Sequence, residues 1–79
     1  MHEDNDLFEP PRVAALLING APHAWRAGLT VADVVEELGA DAARVATALN
    51  GLFVARGARG DTELMPDDRL SVFTAIVGG

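Results

Sequence analysis

Apolar positions along this chain keep two different periods, one suited to strands and one to a helix. Val13 to Ile18 is a short apolar run that meets Asn19-Gly20. That dipeptide suits a two-residue hairpin, because both turn positions tolerate positive φ. A second strand is expected through His23, Ala24, Trp25 and Arg26, and Pro22, which lacks an N–H, places it at a sheet edge. The period then lengthens. Val31, Val34, Val35 and Leu38 fall at i, i+3, i+4 and i+7, so all four lie on one helical face while Glu36 and Glu37 face water. Thr30 stands at the N-cap with Asp33 as a weaker form of the capping-box acid, and Gly39 stands at C′, which predicts a helix over Val31 to Leu38. The stretch from Asp41 to Asn50 fits either period by itself. Asn50-Gly51 decides it: a second hairpin needs a strand on each side, Arg44 to Leu49 before and Leu52-Phe53-Val54 after. Arg56 to Asp61 reads as a Gly- and Arg-rich loop and Pro66-Asp67-Asp68 as a turn. Arg69 to Val77 is the longest strand-like segment, with Leu70 and Val72 alternating with Ser71 and Phe73.

The order is hairpin, helix, hairpin, final strand. One amphipathic helix laid across a mixed sheet, with the last strand entering beside the first, buries every apolar face. The expected class is therefore α+β, with the ββαββ outline of a β-grasp (ubiquitin-like) fold. Three regions follow: an acidic extension over residues 1–12, a β-grasp domain over 13–77 and a Gly-Gly tail at 78–79.

Composition narrows the function. The chain has 79 residues and a formal net charge of -6, and four of its twelve acids, Glu3, Asp4, Asp6 and Glu9, lie in the extension. An acidic surface repels the phosphate backbone, so nucleic acid is not an expected partner and a basic protein surface is. No apolar run is long enough to span a membrane and the N-terminus is acidic where a secretory signal is basic, so a cytoplasmic location and no membrane partner are expected. There is no cysteine and no tyrosine, the one serine is Ser71 in a strand, and all six basic residues are arginine. Nucleophile-base pairs and metal clusters have almost nothing to use.

The remaining candidates have simple structural readings. His2 lies in a solvated tail, His23 beside Pro22 reads as a surface residue, and Trp25 as core or a packing lid. Asp33, Glu36 and Glu37 fit a solvated helix face, and Gly57-Ala58-Arg59-Gly60, a weak match to phosphate-clamping GxxG loops, fits a plain loop.

What is left is the end of the chain. Gly78-Gly79 after Ala75-Ile76-Val77 makes a thin extended peptide with a carboxylate at its tip, a shape that threads a narrow channel. A carboxylate is not an electrophile until a better leaving group is attached, so a separate ATP-using enzyme must supply that chemistry. With no lysine, copies of this protein offer no side-chain amine to an activated C-terminus.

From about Leu17 to Gly79 the chain resembles the ThiS family of ubiquitin-like sulfur carriers (ThiS/MoaD superfamily). The resemblance rests on Ile18-Asn19-Gly20, Leu29-Thr30-Val31-Ala32-Asp33, Ala48-Leu49-Asn50-Gly51, Val54 with Arg56, Thr62 with Leu64, Asp68-Arg69-Leu70 and Ile76-Val77-Gly78-Gly79, in that order. Ala55 stands in place of the proline of a Val-Pro-Arg element, and Asp67 in place of the glycine of a Gly-Asp turn. The resemblance implies a carrier that is not itself an enzyme, binds no cofactor and is a monomer on its own. Its Gly79 carboxylate would be adenylated with ATP by a ThiF-type enzyme, with Gly78 as spacer. Sulfur from a cysteine desulfurase relay would then give a thiocarboxylate for thiazole synthase (ThiG) in thiamine biosynthesis. Phe73, Ile76, Val77 and Arg56 are the expected partner contacts, with Phe73 open between docking and core packing. Two other readings share the residues: a MoaD-type molybdopterin-synthase small subunit or carrier for another metabolite, and a β-grasp interaction module in which the glycine pair is incidental.

Overall fold

A computed structural model of the chain describes residues 14–74. The elements are β1 (Ala15–Ile18), β2 (Ala21–Ala24), helix α1 (Val31–Glu37), β3 (Val45–Leu49), β4 (Leu52–Val54), a 3-10 helix (Arg56–Asp61) and β5 (Arg69–Thr74). They form one five-stranded mixed sheet in the order β2-β1-β5-β3-β4. β5 lies at its centre, parallel to β1 and antiparallel to β3, so the last strand does enter beside the first. β2 is an edge strand, as Pro22 requires.

Both hairpins turn on their Asn-Gly pairs. Asn19 and Asn50 each hold φ 52, and Gly20 and Gly51 hold 84 and 86, the doubly left-handed geometry that matches strand twist. The helix carries the predicted caps. Asp33 N–H donates to Thr30 Oγ1 at 3.1 Å, and Thr30 N–H donates back to Asp33 Oδ2 at 3.0 Å. At the far end Ala40 N–H donates to Val35 O and Gly39 N–H to Glu36 O, with Gly39 at φ 70, which is a Schellman closure.

Val31, Val34 and Val35 drop into a core with Leu16, Ile18, Leu29, Leu64, Leu70 and Val72. Each large aliphatic buried this way contributes roughly 2 kcal/mol of hydrophobic stabilisation. Trp25 packs against this core as a lid, with Nε1 donating to Leu64 O at 2.7 Å.

The boundaries differ from expectation in places, each for a local reason. β2 stops at Ala24 because Trp25 leaves the strand to cover the core, although its N–H still donates to Ala14 O. Leu38 is the C-cap, not a fourth core residue, and is 47% exposed where the Schellman turn leads the chain away. β3 starts at Val45 since Arg44 belongs to a turn, its N–H donating to Asp41 O. The segment from Arg56 to Asp61 is a 3-10 helix and not a plain loop, and what organises it is the side chain of Arg59. That guanidinium is 4% exposed and lies under β3. It donates to Thr47 Oγ1 at 3.2 Å, Ala42 O at 3.0 Å and Val45 O at 2.7 Å. β5 is described as far as Thr74. The acidic extension, Val13, and Ala75 to Gly79 lie outside the described residues.

Candidate functional site

The helix covers one face of the sheet, and pairing register identifies what lies on the other. Directly opposed residues in an antiparallel pair share a face. Phe73 opposes Ala46, Ser71 opposes Ala48, and Ala48 opposes Phe53. These five therefore share the face turned away from the helix, while Leu70, Val72, Thr47 and Val54 point inward. Leu17, between buried Leu16 and Ile18, lies on the same open face beside Arg69 and opposite Pro22. The open face thus carries apolar side chains, with Ser71 and Arg69 as the polar residues among them. Phe73 is 52% exposed and Phe53 72%. The small side chains of Ala46 and Ala48 form the floor between the two rings.

Phe73 is therefore on the solvent side, which places it outside the core. Phe53 is its counterpart, and the sequence reading passed over it. Its signal lay in the second hairpin: Asn50-Gly51 sets Leu49 opposite Leu52, hence Ala48 opposite Phe53, on the face away from buried Val54. Arg56 is exposed at the start of the 3-10 helix, just beyond the end of β4. Among the described residues, neither Arg56 nor Arg69 takes part in an ion pair. Ile76, Val77, Gly78 and Gly79 lie outside the described residues. The last described pair before them is Thr74 with Val45.

The β1 side of the open face holds a shallow hollow of about 300 Å³ lined by Ala15, Leu16, Leu17, Pro22, Asp67 and Arg69. It contains no nucleophile. On the helix side, His23 is less solvated than its sequence suggested. Its Nε2 lies 3.0 Å from Glu37 Oε1, and Arg26 Nη2 donates to Glu37 Oε2 at 2.8 Å. The Arg26 hydrogen bond first, then its charge and the His23 hydrogen bond, hold the Glu37 carboxyl below the usual carboxylate range. The same contact raises Arg26. This trio ties β2 to the end of α1. Among the described residues no three His, Asp or Glu side chains gather as metal ligands, and no helix is long and apolar enough to cross a membrane.

A five-stranded mixed sheet gripping one helix, with an apolar open face beside the strand that leads into the C-terminal segment, defines a small ubiquitin-like β-grasp protein. The sequence profile of the ThiS family matches residues 8–79, and the chain belongs to that family. Its structure is similar to the crystal structure of thiamine biosynthesis protein ThiS from Geobacter metallireducens, with 28% sequence identity and a TM-score of 0.70. That match covers 82% of this chain and 99% of the other. No curated protein sequence matches the chain.

Proposed function

We propose that this protein is a sulfur carrier whose C-terminal Gly79 carboxylate is the working group, serving thiazole formation in thiamine biosynthesis. Membership of the ThiS family over residues 8–79, a match that includes Gly78-Gly79, is the observation that carries the reading. In the first step the Gly79 carboxylate attacks the α-phosphate of ATP on a ThiF-type enzyme, giving an acyl-adenylate and releasing pyrophosphate. In the second, the terminal sulfur of a persulfide supplied by a cysteine desulfurase relay displaces AMP to give an acyl disulfide. A thiol of the partner machinery then cleaves the S–S bond, leaving the thiocarboxylate and a disulfide. Thiazole synthase (ThiG) is the acceptor. The carrier is a co-substrate that binds no cofactor, and the setting is the cytoplasm.

Glycine at 78 and 79 suits passage through a narrow channel because neither residue has a side chain to obstruct it. Docking falls to the open face: Phe73, with Ile76 and Val77 following it in the chain and Arg56 at the rim, gives an aromatic anchor of the kind that dominates binding energy. A negative carrier and a positively charged partner surface would speed their encounter.

Intact-mass spectrometry after incubation with ATP, the adenylating enzyme and a sulfur donor tests this reading. The expected product is heavier by the difference between one sulfur and one oxygen, and deleting Gly79 abolishes it. Wild-type protein that forms neither adenylate nor thiocarboxylate with its native partner would rule the reading out. Transfer of the sulfur to a molybdopterin precursor rather than to a thiazole would reassign the pathway.

A further inference from the structure

Between β1 and β5 the backbone ladder runs out early, and a side chain continues it. Leu17 N–H donates to Asp68 O and Asn19 N–H to Leu70 O, each at 2.9 Å. The next rung would fall at Val72, but β1 has already turned away into the hairpin. The Asn19 carboxamide takes that rung. Its Oδ1 accepts from Val72 N–H at 2.8 Å and its Nδ2 donates to Val72 O at 3.1 Å, an amide imitating a peptide group. The contact joins residues 53 positions apart in sequence and is partly buried. Val72 lies two positions before Thr74, the last described residue ahead of the C-terminal segment.

Asn50 at the other hairpin makes a matching grip on the opposite end of the same strand. Its Oδ1 accepts from Arg69 N–H at 2.9 Å, and its Nδ2 donates to Asp68 Oδ1 at 3.0 Å. One asparagine therefore holds the entry of β5 and the other holds its exit.

We infer that Asn19 is a positioning residue for the carrier reaction: by clamping Val72 it fixes the end of β5, from which the chain runs on to Gly79. The inference rests on the carrier reading above. Without the clamp the open face still docks, but the terminal carboxylate reaches the α-phosphate of ATP in fewer encounters, because orientation that was fixed in advance must be found in the complex. Such a loss falls on kcat and leaves KM, which reports docking, nearly unchanged.

Asn19→Gly isolates the clamp, since glycine accepts the φ of 52 at that position and removes only the carboxamide. Asn50→Gly is the matched control, removing an equivalent grip far from the exit. The expected result is a drop of about tenfold in kcat for pyrophosphate release with Asn19→Gly, KM within about twofold, and full activity with Asn50→Gly. Amide exchange at Val72 should speed about tenfold in the first variant only. If Asn19→Gly does not fold, Asn19→Asp keeps turn and shape while its carboxylate can no longer donate to Val72 O, and the same kcat loss is expected.

Wild-type kcat in a folded Asn19 variant, equal losses in both hairpin variants, or unchanged exchange at Val72 in Asn19→Gly would overturn the inference. Wild-type protein that accepts no AMP would sink the carrier reading, whereas the exchange rates judge the clamp on their own.

Discussion

Asp67 holds φ 73, a left-handed conformation that costs a residue with a Cβ of the order of 1 kcal/mol. It follows Pro66 in a turn closed by Asp68 N–H donating to Met65 O at 3.2 Å, and positive φ at this third position is what a type II turn demands. A glycine here would avoid the strain, and this chain accepts it. Asp67→Gly should raise the unfolding free energy by about 0.5 kcal/mol, the relief being partly offset by the greater freedom of glycine in the unfolded chain. Asp67→Ala should lower it by about 1 kcal/mol, since alanine enters the left-handed region less readily than aspartate does. Urea unfolding of the two variants checks both signs. Arg59 is a larger commitment. Its three donors meet two backbone carbonyls and the Thr47 hydroxyl, which in turn donates to Val54 O at 2.9 Å. Arg59→Met keeps the stem and strands those acceptors, at an expected cost of about 3 kcal/mol by chemical denaturation. Arg59→Lys should recover only a small part, because an ammonium cannot span three separated acceptors.

At the scale of elements, α1 depends on its ends. Seven residues are too few for a helix to persist by propensity, so the capping box, the Schellman closure and three buried valines hold it in place. Thr30→Ala should cost about 1 kcal/mol. The hydrogen bonds from the Thr30 N–H, and then from its side chain, hold the Asp33 carboxyl below the usual range. A depressed folded-state value means that the ionised form is preferred in the native protein. Its stabilisation is complete above the unfolded-state value near pH 4 and fades as pH falls through the lower folded-state value. Glu37 acts in the same sense through Arg26. Asp33→Asn should therefore flatten the loss of stability on acidification below about pH 4, read as melting temperature against pH. These caps were legible in the sequence because Thr30, Asp33 and Gly39 act within a few residues of themselves. Asn19-Gly20 and Asn50-Gly51 were legible for the same reason, as was the alternation of Leu70 and Val72. The 3-10 helix at Arg56–Asp61 was not, since it depends on Arg59 reaching Ala42, Val45 and Thr47, contacts no local pattern encodes. The second role of Asn19 and Asn50, gripping β5 by their side chains, was hidden likewise. It depends on which strands become neighbours.

At the scale of the molecule, the sheet has two apolar faces and only one helix to cover them. Adjacent residues on β5 therefore answer to different demands. Val72 points into the core and is 8% exposed, while Phe73 points out between the floor of alanines and the solvent. Alternation alone left open whether Phe73 served packing or docking; the register with Ala46 puts it on the open side. The two positions should separate stability from recognition. Val72→Ala should lower the unfolding free energy by about 2 kcal/mol, the usual cost of emptying a well-packed aliphatic site. Phe73→Thr keeps a β-branched residue in the strand and removes only the exposed ring, so stability should stay within about 0.5 kcal/mol of wild type. Affinity for the adenylating enzyme, measured by calorimetry, should nevertheless fall about tenfold or more in Phe73→Thr, as expected for the loss of an aromatic anchor. The reverse pattern, a destabilised Phe73→Thr that binds normally, would return Phe73 to a structural role and move the docking surface elsewhere on the sheet.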